Sequence, residues 1–149
     1  MKFAEPINDD LIARVQTISL FAKKTITVYS VDDMLEQLKS IPKPAVGVMY
    51  EGARRVQNEG GKQVGVSGEA VFTILLATEV SIIAASTRTQ ARTQAHELLD
   101  SIRQAIQGAR APNQHFYSWA LEAQAAMKGN VAVWLQRWTI PVQLPPRTN

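Results

Sequence analysis

Apolar residues at the start of the chain recur three or four positions apart, which is the spacing of one face of an α-helix. They are Ile7, Leu11, Val15, Ile18 and Ala22. Asn8 is a suitable N-cap, and Lys23 and Lys24 suit the negative end of a helix dipole. This pattern predicts a first amphipathic helix over residues 8–24.

Two further helices are predicted by capping signals followed by apolar stripes. The sequence Ser30-Val-Asp-Asp33 resembles a capping box and predicts a short helix over residues 31–40. After Thr89 a longer stripe of alanine, leucine and isoleucine predicts a helix over residues 90–107. Gly108 ends this helix, because glycine readily adopts the left-handed conformation of a C′ residue.

Strand signals dominate the middle and the end of the chain. Alternating residues predict one strand over residues 45–56, and a long apolar run predicts another over residues 69–83. The segment Gln57–Gly68 between them is rich in glycine and is predicted to form a long hairpin loop. A terminal hairpin is predicted from strands over residues 116–127 and 131–144.

The order of these elements predicts one α+β domain over residues 1–144, with a mainly antiparallel sheet of about four strands. A β-branched segment at residues 25–29 predicts a further short strand. The residues from Pro145 onward are predicted to be a flexible tail, 145–149.

Some strands are apolar on both faces, and only three helices are predicted to cover them. A second apolar face is what a contact between subunits requires. The candidate interface residues are Val71, Leu75, Val131, Val133 and Leu135. The alternative is that the helices and the 57–68 loop cover both faces within a monomer.

Composition excludes several classes of protein. The chain has 149 residues, no cysteine and a net charge of +3. Disulfides, cysteine-bound zinc, iron–sulfur clusters and thiol catalysis are therefore excluded. The excess of basic residues lies in the last third of the chain and is spread over separated positions, unlike the clustered patch of a dedicated nucleic-acid binder.

No membrane partner is expected. The most apolar run, Ala70–Ala85, is interrupted by polar residues and is shorter than the roughly 20 residues that a spanning helix needs. The first ten residues lack the apolar core of a signal peptide.

The catalytic inventory is small and predicts a protein that is not an enzyme and binds no cofactor or metal. His96 and His115 have no metal-like spacing to another ligand. Ser67 lies in a sequence resembling a nucleophile elbow, but a strand follows it where a helix is required. Glu51 and Glu79 were candidates to face each other across a hairpin, where surface carboxylates are more common than an acid–base pair.

Basic residues border the predicted loop and the third helix. Arg54, Arg55 and Lys62 belong to the first group, and Arg88, Arg92 and Arg103 mark the second. Arginines in such positions can line a channel that passes DNA and contact its phosphates without reading sequence. The alternative is a solvated surface, neutralised by nearby acidic residues.

The layout of the chain resembles the tail terminator family of lambda-like and Mu-like phages and prophages. An amphipathic helix, DDLIARVQTISLFA, leads into a short strand, and the strand IPKPAVGVMYEGARR precedes a glycine-rich loop. The long strand GEAVFTILLATEVSII follows, and after the helix TQAHELLDSIRQAI comes a hairpin that ends VAVWLQRWTIPVQL. The resemblance covers nearly the whole chain and lies in layout and patterning.

The resemblance implies a structural virion protein at the head-proximal end of a tail, made in the host cytoplasm. Such proteins form homo-oligomers, commonly hexameric rings, that cap the tail tube protein and receive the head–tail connector protein. It implies that the loop contacts the tube, through Arg54, Arg55, Asn58 and Lys62. It also implies transient, non-specific DNA contact in the lumen, through Arg88, Arg92 and Arg103.

Two other functions fit the same residues. A head–tail connector or tail-completion protein would share the layout, and a small, non-enzymatic ligand-binding α+β module would share the composition.

Overall fold

The structure, a computed structural model, describes residues 3–56, 66–80 and 85–144, without the side chains of residues 66 and 85–88. The helices are α1 (Ala4–Gln16), α2 (Val31–Gln37) and α3 (Ala85–Ile106), and a 3₁₀ turn covers Ser19–Phe21. The strands are β1 (Thr25–Thr27), β2 (Ala45–Arg55), β3 (Val66–Glu79), β4 (Ser118–Lys128) and β5 (Val131–Leu144). The predicted tail, 145–149, lies outside the described residues.

The five strands form one sheet in the order β1-β2-β3-β5-β4. β1 is parallel to β2 because the short helix α2 carries the chain back over the sheet between them, and the other neighbours are antiparallel. This architecture confirms the predicted α+β class and the mainly antiparallel sheet. The fifth strand is the short segment that the β-branched residues at 25–29 indicated.

One face of the sheet packs against α1 and α3 and forms the larger core. Apolar residues that alternate along β3 and β5 point into it, including Phe72, Ile74 and Trp138, which are fully buried. α1 contributes Leu11, and α3 contributes Ile102 from its predicted apolar stripe. Apolar residues at every second position of the strands therefore pack against apolar residues at every third or fourth position of the helices, and together they form one core.

The opposite face carries a second, smaller core beneath α2. Met34 and Leu38 of the α2 region pack against Leu75, Ala77 and Val133 of the sheet. β2 passes close under the helix at Gly47, where a Cβ atom would lie 2.8 Å from both Met34 Sδ and Val28 Cγ2. Glycine at this position lets the helix approach the strand closely.

α1 begins and ends earlier than the predicted helix over 8–24. Pro6 fits the first turn, where its missing N–H is not needed, so the helix starts at Ala4. Asn8 is therefore not an N-cap but a buried side chain, whose amide donates a 3.0 Å hydrogen bond to Thr27 Oγ1. The helix ends at Gln16 because Ile18 takes up extended backbone before the 3₁₀ turn.

Three other predicted boundaries also shift. α3 begins at Ala85 and not at residue 90. The residues between Ala85 and Thr89 include no glycine or proline, so nothing in the sequence prevents the helix from starting there. β3 starts at Val66 and ends at Glu79, and β4 starts at Ser118 after a separate bridge between Arg110 and Phe116. The predicted ends of helix 31–40 and helix 90–107 lie within a few residues of the observed ones.

Candidate functional site

The end of β2, where the chain leaves the sheet toward β3, carries two of the basic residues that were predicted to contact a partner. Arg54 Nη2 donates to Glu69 Oε1 at 3.0 Å across the hairpin, although the Arg54 side chain is largely exposed. Arg55 is exposed and forms no ion pair with any residue that the structure describes. Asn58 and Lys62, the other two predicted contact residues, lie outside the described residues. Of Arg54 and Arg55, Arg55 is therefore the cation without an ion-pair partner among the described residues, and its charge is available to a partner protein.

The five candidate interface residues fall into two groups. Leu75 and Val133 are fully buried beneath α2, so their side chains already have partners within the chain. Val131 and Leu135 are partly buried at the border of the same small core, and Val71 is half-buried farther along β3. The apolar second face that the sequence indicated is thus partly covered by α2.

A bidentate ion pair covers the next part of that face. Arg137 of β5 donates to both carboxylate oxygens of Glu51 in β2, at 2.9 and 3.2 Å, and spans β3 between them. Thr73 of β3 is paired with Arg137 in the sheet register, and its hydroxyl is buried without a hydrogen-bond partner. A paired charge in this position makes the face less apolar than the alternation of residues suggested.

The candidate DNA-facing arginines have different surroundings. Arg103 pairs with Asp100 and with Glu122, the latter at 3.6 Å, and its guanidinium lies 5.6 Å from the centre of the Trp119 ring. Arg92 is exposed and has no ion-pair partner in the described part of the chain. The Arg88 side chain lies outside the described residues. Of Arg92 and Arg103, Arg92 is therefore the arginine whose charge no described acidic residue pairs.

Arg92 borders a cavity of about 320 Å³ between α3 and the β4–β5 hairpin. Its wall includes Thr78, Met127 and Trp134. The His96 ring packs edge-on against Trp134, with ring centroids 5.2 Å apart. The wall is therefore mixed, because Thr78 and Gln124 lie beside Met127 and Trp134, and a cation stands at its rim.

The residues considered for catalysis are separated from one another. Glu51 and Glu79 do not face each other, because Glu51 lies in the β2 bulge, opposite Val71 and Phe72, and Glu79 is the last residue of β3. This prediction was wrong, and Glu51 pairs with Arg137 instead. Ser67 lies within β3 opposite Gln143, so it is not at a strand-to-helix turn. The described residues contain no cluster of histidine and carboxylate side chains suited to a metal.

One polar cluster was not foreseen from the sequence. The Tyr117 hydroxyl donates to Asp10 Oδ2 at 2.7 Å, and Arg14 Nε donates to the same oxygen at 2.8 Å. Burial raises the pKa of the Tyr117 hydroxyl, and the hydrogen bond to Asp10 raises it further. Arg14 also reaches the carbonyl of Arg110, so the cluster ties α1 to the segment after α3.

None of the described helices is both long enough and apolar enough to cross a membrane.

Comparison with known proteins finds a solved structure of similar fold. Neither a family model nor a curated protein matches the sequence. A chain in the solved virion of a native gene transfer agent particle does match, with a TM-score of 0.52 and 10% sequence identity. The match covers 95% of this chain and 97% of that chain. At this identity the likeness shows a shared fold.

Proposed function

We propose that this chain is a non-enzymatic structural subunit of a phage-like virion, and more narrowly a tail terminator. In this role six copies form a ring at the head-proximal end of the tail. The ring caps the tube, stops its polymerisation and offers a joining surface to the head–tail connector. The protein assembles in the host cytoplasm and remains in the virion.

The fold shared with a virion chain is the observation that carries this proposal. The match covers 95% of this chain and 97% of that chain, so the likeness extends over the fold and is not confined to one motif. The resemblance of the sequence to tail terminators is an independent argument, because it came from the layout of helices, loop and hairpin. Both support a structural component of a virion, and the resemblance of the sequence adds the tail terminator role.

The end of the β2–β3 hairpin is the proposed contact with the tube. Arg55 brings an exposed guanidinium that can form a bidentate pair with a carboxylate of the tube protein. Arg54 is already paired with Glu69, so it contributes less free charge. Asn58 and Lys62 follow along the chain and belong to the same proposed contact.

Arg92 and Arg88 are the proposed contacts to DNA in the lumen of the ring. Such contacts are transient and independent of sequence, because they involve only phosphate oxygens. Arg103 is a weaker candidate for this role, since Asp100 and Glu122 hold its charge.

The experiment is assembly of tail tubes from purified tube protein in the presence of this chain. Wild-type protein should shorten the tubes and leave one end capped in electron micrographs. Replacing Arg55 with glutamine should raise the concentration needed for capping at least about tenfold, which corresponds to the loss of one charge-assisted pair.

Lys39→Gln is the control, because Lys39 is also an exposed cation but lies just after α2, where it pairs with Glu36. Its capping should equal that of the wild type. Tubes of unchanged length at saturating wild-type protein would exclude the terminator role. Binding to the head connector without any effect on tubes would favour the alternative connector or completion role.

A ligand-binding module is the second candidate function, and the cavity beside Arg92 is the observation that favours it. This reading predicts a melting temperature that rises when a small anionic ligand is added, because a ligand that binds the folded state stabilises it. Arg92→Gln should abolish that rise. Under the terminator proposal the same variant leaves the capping concentration unchanged.

A further inference from the structure

The cavity between α3 and the β4–β5 hairpin has a buried floor and an exposed mouth. Thr78 and Ala132 form the floor, where they are paired in the β3–β5 register and are only 7% and 2% exposed. Arg92 of α3 and Gln124 of β4 are exposed and stand at the mouth. Small side chains line the space from both sides, Ala91 from the helix and Ala132 from the sheet. A molecule that enters therefore meets a cation first and the buried strands last.

Two polar atoms of the residues that line this cavity lack a hydrogen-bond partner. Thr78 Oγ1 and Trp134 Nε1 are both buried, and neither bonds to any residue that the structure describes. The indole N–H can only donate, whereas the hydroxyl can donate and accept. A buried donor without an acceptor is destabilising and is rare in native proteins. An acceptor atom of a ligand at the floor would supply the missing partner, and rotation about the Cα–Cβ bond of Thr78 brings its hydroxyl to that atom.

The wall between the mouth and the floor suits a flat apolar group. It contains the Met127 side chain and the indole ring of Trp134. Thioether and indole groups both pack well against an aromatic ring. A cavity of about 150 Å³ is enough to hold benzene, and this one has a volume of about 320 Å³. There is therefore room for an aromatic ring with a substituent at each end.

The mouth of the cavity favours one negative charge. Arg92 has no ion-pair partner in the part of the chain that the structure describes, and a guanidinium can bind both oxygens of a carboxylate. The neutral amide of Gln124 offers further donors. A phosphate would bring nearly two charges and more acceptor oxygens than this mouth can satisfy, which makes its burial costly. A carboxylate is therefore the better match.

We propose that this cavity binds a small aromatic carboxylic acid with a hydroxyl or carbonyl group at the far end of its ring. The carboxylate pairs with Arg92, the ring lies against Met127 and Trp134, and the polar group bonds to Thr78 and the Trp134 N–H. The inference deepens the second candidate function, on which it rests, and it does not depend on the terminator role.

The floor is tested with two acids of nearly the same size, para-hydroxybenzoate and para-methylbenzoate, by isothermal titration calorimetry. Wild-type protein should bind the hydroxyl compound at least about fivefold more tightly, which corresponds to one net hydrogen bond. Thr78→Val keeps the shape of the side chain and should lower this preference. Thr73→Val is the matched control, because Thr73 is also a buried β3 threonine with an unpaired hydroxyl but lies on the opposite face of the sheet. A preference that Thr78→Val leaves unchanged would contradict the proposed floor contact.

The mouth and the interior are tested with variants of α3. Arg92→Gln should weaken the binding of both acids at least about tenfold, whereas Lys39→Gln, which removes an exposed cation beyond α2, should not. Ala91→Leu fills the cavity from the helix and should abolish binding of both acids. An acid held only by the exposed guanidinium would still bind this variant. Circular dichroism checks that each variant is folded.

A measurement on the unaltered chain avoids any effect of substitution on folding. In proton–nitrogen NMR spectra, para-hydroxybenzoate should shift the indole N–H resonance of Trp134, which Trp134→Phe identifies by its disappearance. The Trp119 indole resonance should stay in place, because Trp119 does not line the cavity. A shift of the Trp119 resonance without one for Trp134 would locate the acid elsewhere and overturn the proposal.

Three further results would overturn the proposed ligand class. They are Kd values above about 10 mM for both acids, equal affinity of the wild type for the two acids, and undiminished binding to Ala91→Leu. Inorganic phosphate separates this inference from the function on which it rests. If phosphate binds through Arg92 and neither benzoate does, the ligand-binding function stands and the aromatic acid is excluded. If none of the three binds, both fail, and tube capping still tests the terminator role.

Discussion

At the scale of single residues, Gln136 is a buried side chain whose hydrogen bonds join a helix to the sheet. It is fully buried in β5, and its Nε2 donates to the Leu99 carbonyl of α3 and to Glu122 Oε1, both at 2.9 Å. Its Oε1 accepts from Trp138 Nε1 at 3.0 Å. A buried amide with all these partners fixes how α3 sits on the strands, in a way that apolar packing alone does not.

Gln136→Leu should lower the free energy of unfolding by about 2–4 kcal/mol, because it leaves the Trp138 indole N–H buried without an acceptor. Urea denaturation followed by tryptophan fluorescence measures the change. Gln143→Leu is the matched control on the same strand, where the glutamine is exposed, and it should change the stability by less than about 0.5 kcal/mol. Equal effects at the two positions would show that the Gln136 hydrogen bonds contribute nothing.

The contribution of Tyr117 to the stability of the fold decreases at alkaline pH. Its pKa in the folded chain is raised above the ordinary value of 10.0, first by burial and then by Asp10. Above pH 10 the unfolded chain therefore loses this proton while the folded chain keeps it, and stability falls as pH rises. The fall attributable to this group approaches about 1.4 kcal/mol per pH unit.

Tyr117→Phe should be less stable than the wild type near neutral pH, because it loses the hydrogen bond to Asp10. Between pH 10 and the pKa of Tyr117 in the folded chain, the difference in free energy of unfolding between the two proteins should shrink. Only the wild type loses stability there, because only it has a tyrosine hydroxyl at this position to keep protonated. Urea denaturation of both proteins at pH 8 and at about pH 11 tests the sign. A difference that is constant across this range would contradict the raised pKa.

At the scale of elements, α2 is the short helix that covers the second face of the sheet. Gly47→Ala places a Cβ atom against Met34 Sδ and Val28 Cγ2, and these buried side chains have little room to move. The substitution should destabilise the chain by about 1–3 kcal/mol, as overpacking of a core does. Thermal or urea denaturation measures it.

A double-mutant cycle separates the contact with Met34 from other causes. In a Met34→Ala background the added penalty of Gly47→Ala should become smaller, because the crowding sulfur is gone. If the two penalties simply added, the approach of α2 at Gly47 would not be the source of the effect.

The elements that the sequence predicted well are those with local signals. Ser30 accepts a 3.0 Å hydrogen bond from the Asp33 N–H, as the capping box implied, and Gly108 has a φ of +77° just after α3. The turn between β4 and β5 was located by Gly129 and its neighbours. Each of these signals depends on residues a few positions apart, which the sequence displays directly.

The features that were missed depend on residues far apart in the chain. Asn8 reads as a cap until Thr27, 19 residues later, supplies its partner. The Glu51–Arg137 pair joins residues 86 positions apart, so only the sheet register reveals it. A proline within a strand is typical of an edge strand or of a frayed end, and Pro141 lies in β5, which is an inner strand. β4 pairs with β5 only as far as Thr139, so the missing N–H of Pro141 interrupts no strand pairing there, and its carbonyl accepts from Asn113 Nδ2 at 2.9 Å.

At the scale of the whole molecule, the candidate sites were predicted less completely than the fold. Composition indicated arginines near the loop and α3, but not that Arg103 is held by two carboxylates while Arg92 is free. Alternation in the strands indicated a second apolar face, but α2 covers Leu75 and Val133. The exposed apolar residues lie instead mostly at the edges of the sheet, a location that depends on strand order and not on periodicity.

The unlike edges of the sheet have a consequence that concerns direction. One edge is an 11-residue strand with two bulges in its register, and the other is a three-residue strand. A closed ring that joins such edges has no two-fold axis in its plane, so its front and back are different surfaces. A component of that kind has an intrinsic polarity, and it can bind one protein above and an unrelated one below without any further asymmetry.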